Sequence, residues 1–230
     1  MKVLMTLLLT ALMVLPSFAQ ETHDPEAKKI LEKISSTTQG YNSLRATFVW
    51  TLENKAEKTK DSKNGSMFIK GDKYKLILQG TEIFSDGKTS WTYSKDANEI
   101  TVNAVEENDE SIVSNPTKIF NFYEKGFKYA LKGEAEVNAK AKVDGKITTA
   151  KKKCHVIDLY PENPKGKDFH TVQLLVDKTN NQIVCIDIKF KNGSDQIIEI
   201  LDYKPNVTMP DNLFQYEESK YPGVEVNDMR

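Results

Sequence analysis

Between residues 43 and 203 the apolar side chains recur at every second position in short runs, and most runs stop at a pair of residues that turns the backbone. Ala46, Phe48, Trp50 and Leu52 alternate with Arg45, Thr47, Val49 and Thr51, which gives a strand with one strongly apolar face. Further runs cover residues 65–70, 74–79, 81–85, 89–93 and 99–105, with turns at Gly71-Asp72 and Asp86-Gly87. After residue 127 the rhythm resumes through 154–160, 171–176 and 183–190, with turns at Asp144-Gly145 and over 179–182. The lysine-rich stretch 53–64 reads as a solvated loop. A chain punctuated in this way forms antiparallel hairpins, and so many strands in one sheet do not stay flat; they curl or partly close into a barrel.

Two segments carry helical spacing instead. Asp24 followed by Pro25 is an N-cap with proline in the first turn, and Ala27, Ile30, Leu31 and Ile34 form one apolar stripe before Gly40. Asn115-Pro116 opens a second, shorter segment that packs Ile119, Phe120, Phe122 and Tyr123 into five residues before Gly126. A curved sheet needs its apolar face covered, and these two segments are the candidates. The expected fold is α+β, mainly antiparallel β: an incomplete, half-open β-barrel capped by short α-helices. Residues 205–230 read as mostly irregular, with Leu213-Phe214 and 224–226 able to pack on the body.

At the N-terminus, Lys2 precedes an apolar run over 3–15, then Pro16 and Ser17-Phe18-Ala19. This is the pattern of a signal peptide, 1–19, removed after Ala19, and it is too short to span a bilayer comfortably. Residues 20–230 then form one domain outside the cytoplasm. No cysteine follows the cleavage site for lipid attachment. Cys154 and Cys185 fall on different strands, and a simple meander sets them two strands apart, beyond bridging distance.

Catalytic patterns are missing. His23, His155 and His170 lack metal-ligand spacing, and Cys154 and His155, adjacent on a strand, point to opposite faces. Neither a serine elbow nor a phosphate-binding glycine loop occurs. No catalytic residue, metal or cofactor is expected. A net charge of −1, with Arg45 and Arg230 the only arginines, leaves no electrostatic footprint for nucleic acid.

The segment Phe84-Ser85-Asp86-Gly87-Lys88-Thr89-Ser90-Trp91-Thr92-Tyr93-Ser94, followed by Asn98-Glu99-Ile100-Thr101-Val102, resembles the central hairpin of the outer-membrane lipoprotein carrier (LolA) family. The first helix, Tyr41-Asn42-Ser43-Leu44-Arg45-Ala46-Thr47-Phe48, Gly65-Ser66-Met67-Phe68-Ile69-Lys70, the Asn115-Pro116 segment and Pro222-Gly223-Val224-Glu225-Val226-Asn227-Asp228 follow in that family's order. The resemblance implies a monomeric periplasmic chaperone that carries the acyl chains of lipoproteins in an apolar cavity. It also implies an inner-membrane lipoprotein-release transporter as donor and an outer-membrane acceptor. One departure stands out. The family pattern has Arg-Pro after the lysine that closes the second strand, an arginine linked to lid closure and release, whereas Lys70 here is followed by Gly71-Asp72.

On this architecture the candidate lipid-binding residues are Phe48, Trp50, Leu52, Met67, Ile69, Leu76, Leu78 and Trp91 on strands, with Ile119, Phe120, Phe122 and Tyr123 on the lid segment. The alternatives are a carrier of another amphiphile, which the missing arginine favours, or a lipid or lipoprotein sensor on the same fold.

Overall fold

Strand pairing organises the molecule around the first strand. The computed structural model describes residues 23–105 and 126–230. Its one α-helix among these, α1 (Pro25–Gln39), precedes β1 (Leu44–Asn54), β2 (Thr59–Lys70), β3 (Lys73–Leu78), β4 (Thr81–Ser85), β5 (Thr89–Ser94) and β6 (Glu99–Ala104). There follow β7 (Phe127–Val143), β8 (Lys146–Pro161), β9 (Phe169–Asp177), β10 (Ile183–Phe190), β11 (Ser194–Pro205) and β12 (Glu225–Asp228). They make one open 12-stranded sheet in the order β12-β6-β5-β4-β3-β2-β1-β11-β10-β9-β8-β7. Two meanders, β1 to β6 and β7 to β11, are thus joined where β1 pairs antiparallel with β11. This is the expected open, mainly antiparallel barrel with a helix on it. The second expected helix, with Ile119, Phe120, Phe122 and Tyr123, lies outside the described residues, as do residues 1–19, the expected signal peptide.

Three expectations change. Half of the polar stretch expected to be a loop belongs to β2, which begins at Thr59 and pairs with Asn54 at the far end of β1. Its side chains are exposed there, so it carries no apolar alternation, and the backbone ladder alone extends the hairpin. Strand β8 starts at Lys146 instead of Cys154, because β7 and β8 form one long hairpin from Phe127↔Pro161 to Val143↔Lys146. The tail ends in a short strand, with Glu225 to Asp228 parallel to Glu99 to Val102.

Both faces of the sheet are covered. On the inner face, Ala27, Leu31 and Ile34 of α1 pack among Ala46, Phe48, Met67, Ile157, Leu159, Val172, Leu174, Ile186 and Ile188. On the outer face, the chain after β11 runs across β1 to β4: Ser43 Oγ donates to the Val207 carbonyl at 2.6 Å, and Lys70 Nζ reaches Asp211 at 2.8 Å. Phe214 of this strap is completely buried, and the Tyr221 ring lies tilted 4.7 Å from Tyr93 and meets Phe84 edge-on at 6.2 Å. The distal half of the β7–β8 hairpin folds over the outer face too, with Lys140 on Glu199 of β11 at 2.5 Å. Cys154 and Cys185 lie on β8 and β10 with β9 between them, both as free thiols, as the meander requires.

Candidate functional site

Residues directly opposite each other on antiparallel strands share a face, so the register decides which candidates meet. Phe48 faces Gly65 on β2 and Ile200 on β11; Trp50 faces Ile198; Leu52 faces Gln196. Met67 faces Ala46 and Leu76, Ile69 faces Leu44, and Leu78 faces Gly65. The strand candidates Phe48, Trp50, Leu52, Met67, Ile69, Leu76 and Leu78 therefore line one continuous inner face. Phe48 and Met67 are buried in it, whereas Trp50, Ile69, Leu76 and Leu78 are half-buried at its margin.

Trp91 does not join them. It faces Phe84, which faces Lys75, which in turn faces Phe68 and so belongs to the outer face. Alternation in Ser90-Trp91-Thr92-Tyr93 shows that Trp91 and Tyr93 point the same way, but not to which side of the sheet. Here that side lies against the C-terminal strap. Tyr221 Oη donates to Glu82 at 3.1 Å, Lys75 pairs with Glu82 at 2.8 Å, and the Lys75 ammonium sits 4.3 Å above the Phe84 ring. Burial first, and then the Glu82 charge, push the Tyr221 phenol well above its ordinary range.

Close packing at the centre of the inner face depends on a missing side chain. A Cβ added at Gly65 would lie 2.3 Å from Phe48 Cζ, so the phenyl ring occupies the space above the glycine. Sequence spacing marks Phe48 as apolar but does not reveal that its seat is a glycine on the next strand.

The helix over this face is pinned at its N-terminus. Asp24 Oδ1 accepts from the backbone N–H of Glu26 at 2.8 Å and of Ala27 at 3.2 Å, while Oδ2 accepts from Leu131 of β7 at 3.0 Å. The Asp24 backbone N–H donates to the Tyr129 carbonyl at 3.1 Å. Burial, the largest influence, pushes the carboxyl upward, yet the three N–H donors together hold it below its ordinary value. At the other end Tyr41 meets Tyr203 of β11 edge-on at 6.0 Å. The helix thus crosses from β7 to the start of the β1–β11 pair and leaves the opposite end of that pair uncovered.

At that end a pocket of about 730 Å³ opens between the β1–β2 and β10–β11 turns. Leu52, 38% exposed, and Phe190 form its apolar floor, and Asn54, Thr59, Asn192, Ser194 and Gln196 stand around it. Its size falls within the roughly 300–1,000 Å³ of small-ligand sites. Of these residues sequence reasoning found Leu52; Phe190 was detectable as the last position in the alternation Ile186, Ile188, Phe190. Among the described residues no group of histidine, cysteine, aspartate and glutamate is arranged to hold a metal, and no helix is long and apolar enough to cross a membrane.

The sequence matches the family described as outer membrane lipoprotein carrier protein LolA over residues 15–156, more than half of the 230 residues. The chain belongs to the LolA family. Among solved structures, an uncharacterized conserved protein from Thermus thermophilus is similar in fold, with a TM-score of 0.51 at 10% identity over 88% of this chain and 99% of that one. The LolA superfamily protein NE2245 from Nitrosomonas europaea matches with a TM-score of 0.42 at 12% identity, covering 83% and 97%. Mycobacterium tuberculosis lipoprotein LppX matches with a TM-score of 0.40 at 12% identity, covering 81% and 100%. No curated protein is a significant sequence match. In this LolA family member Lys70, where the arginine of the family pattern should follow, points to the outer face and ties β2 to Asp211 of the strap.

Proposed function

We propose that this LolA family protein is a periplasmic carrier that takes up the acyl chains of lipoproteins on its inner face and moves them from the inner to the outer membrane without catalysing a reaction. The observation that carries this reading is the continuous apolar inner face, covered by α1 at one end and open to the 730 Å³ pocket at the other. Each methylene withdrawn from water stabilises a complex by about 0.8 kcal/mol, so even a single long acyl chain contributes on the order of 10 kcal/mol. A soluble carrier must offer comparable apolar contact and still let go. Release then depends on an acceptor of higher affinity or on movement of the cover. An inner-membrane release transporter supplies the cargo and an outer-membrane acceptor receives it.

The test is to add purified mature protein to spheroplasts that make a labelled outer-membrane lipoprotein. The lipoprotein should appear in the supernatant as a one-to-one complex, and a Phe48→Asp or Trp50→Asp protein that still folds should not release it. If folded wild-type protein releases none in the presence of the matched transporter, the lipoprotein reading fails. The outward-facing Lys70 and the absent arginine support a second reading, a carrier of another amphiphile on the same inner face.

A further inference from the structure

The open end of the inner face has a specific hydrogen-bonding character. Asn54 and Asn192 both sit in side-chain-stabilised turns: Asn54 Oδ1 accepts from the N–H groups of Ala56 and Glu57 at 3.1 and 3.2 Å, and Asn192 Oδ1 accepts from Ser194 N–H at 3.0 Å and Ser194 Oγ–H at 2.7 Å. Each side chain is fixed by its oxygen, and its NH₂ group has no partner among the described residues. Gln196 lies on the inner face itself, opposite Leu52 on β1 and Ile188 on β10, and its amide also lacks a partner among the described residues. Three side-chain amides with unused donors thus ring an apolar floor of Leu52 and Phe190. Asn192 is exposed and Asn54 and Gln196 are half-buried, so water meets these donors in the empty pocket, and a ligand acceptor gains the net contribution of ordinary neutral hydrogen bonds in exchange for that water.

Charge narrows the ligand further. Lys60 and Lys191 stand among Glu57, Asp61 and Asp168, so cations do not outnumber carboxylates around the opening. Lys191 is already engaged by the Pro164 carbonyl at 2.9 Å, and Lys60 lies 3.9 Å from Glu53. A phosphate or free carboxylate finds no cationic clamp here. Uncharged carbonyl oxygens suit three NH₂ groups, which donate and carry no charge.

We propose that the pocket at the β1–β2 and β10–β11 turns is the linkage subsite of the carrier. It holds the ester or amide carbonyls that join acyl chains to an uncharged glyceryl head, with Asn54, Asn192 and Gln196 donating to them and the chains running inward past Leu52 toward Trp50. This rests on the carrier reading and adds the class of head group and the direction in which the ligand lies.

The experiment compares two probes that differ only in the carbonyl, 1-palmitoyl-glycerol and its ether analogue 1-O-hexadecyl-glycerol, by equilibrium binding to the mature protein. The wild type should prefer the ester about tenfold, the effect of one or two hydrogen bonds. Asn192→Asp keeps the oxygen that holds the turn and removes one donor; Gln196→Met removes a second without adding charge and leaves that of Asn54. In both variants, checked for folding by circular dichroism, the ester-to-ether ratio should fall toward one, and it should fall further in the double variant, which keeps only the Asn54 donor. Equal binding of the two probes to the wild type, or a ratio that the folded variants leave unchanged, overturns the linkage subsite while leaving the carrier reading intact. If neither probe binds, both fall. Tighter binding of palmitate or of 1-palmitoyl-lysophosphatidylglycerol than of the uncharged ester would also overturn the assignment, since it would require a cationic site.

Discussion

Replacing Asp24 with alanine tests whether α1 is a firmly held cover or a loosely attached one. Two losses follow from the geometry. The helix loses its cap at Glu26 and Ala27, worth about 0.5–2 kcal/mol. The Leu131 N–H on β7 loses its acceptor, and leaving a part-buried donor unsatisfied costs about 1–3 kcal/mol. Together the substitution should destabilise the protein by about 2–4 kcal/mol, on the order of a 10 °C fall in Tm for a domain of this size. Urea unfolding at neutral pH measures the first figure, and amide exchange in α1 shows whether opening is local. Asp24→Asn keeps an oxygen for the cap but presents NH₂ to Leu131, so it should lie between wild type and alanine. The pH dependence follows from the lowered carboxyl. Its contribution is complete above the ordinary value of 3.8 and is lost as the pH falls through the folded value, and the Asn variant should lack that part of the acid transition. A loss below about 0.5 kcal/mol in the alanine variant would refute the reasoning, since even a weak cap exceeds it.

Gly65→Val should cost about 1–3 kcal/mol by overpacking against Phe48, and the Phe48→Ala/Gly65→Val double variant should lose less than the sum of the two single changes in urea titrations. Asp187→Asn should raise Tm at pH 7 by a few degrees. Burial pushes this carboxyl up, Lys189 pulls it down and Asp195 adds repulsion, so stability falls as pH rises from 3.8 through the folded value. Scanning calorimetry should show the gain vanish at pH values below 3.8. Burial also pushes the Cys185 thiol up to about 12 and that of Cys154 in the same direction. Native protein at about pH 8 should therefore react with an aromatic disulfide reagent far more slowly than urea-unfolded protein; rapid native labelling would mean that the β7–β8 hairpin lifts off.

The sequence makes the local units legible because alternation, caps and turn pairs are local signals. Asp24, Pro25 and Gly40 mark α1 to the residue, and Asp86-Gly87 marks the β4–β5 turn. What it does not carry is the side of the sheet on which a strand's apolar face ends up. Trp91 shows this: its strand alternates as clearly as β1, yet its apolar side lies against Tyr221 and the strap, more than a hundred residues later in the chain. The same limit explains Thr59 to Asn64, where backbone pairing with β1 continues although the side chains are solvated. The inner-face residues of β1 to β3 could be read because they are locally the most apolar. Gln196 could not, since a lone polar residue in a strand has meaning only once Leu52 stands opposite it.

The pairing of β1 with β11 also sets a schedule for synthesis. Leu44 meets Pro205 at the middle of the sheet, so the two meanders cannot be joined until nearly the whole chain has been made, and contacts so distant in sequence form slowly. Until then β1 exposes one unpaired edge and α1 has no inner face to cover. A chain whose central strand pair closes this late gains its inner face in one of the last steps of folding, and the pocket at the β1–β2 and β10–β11 turns forms with it.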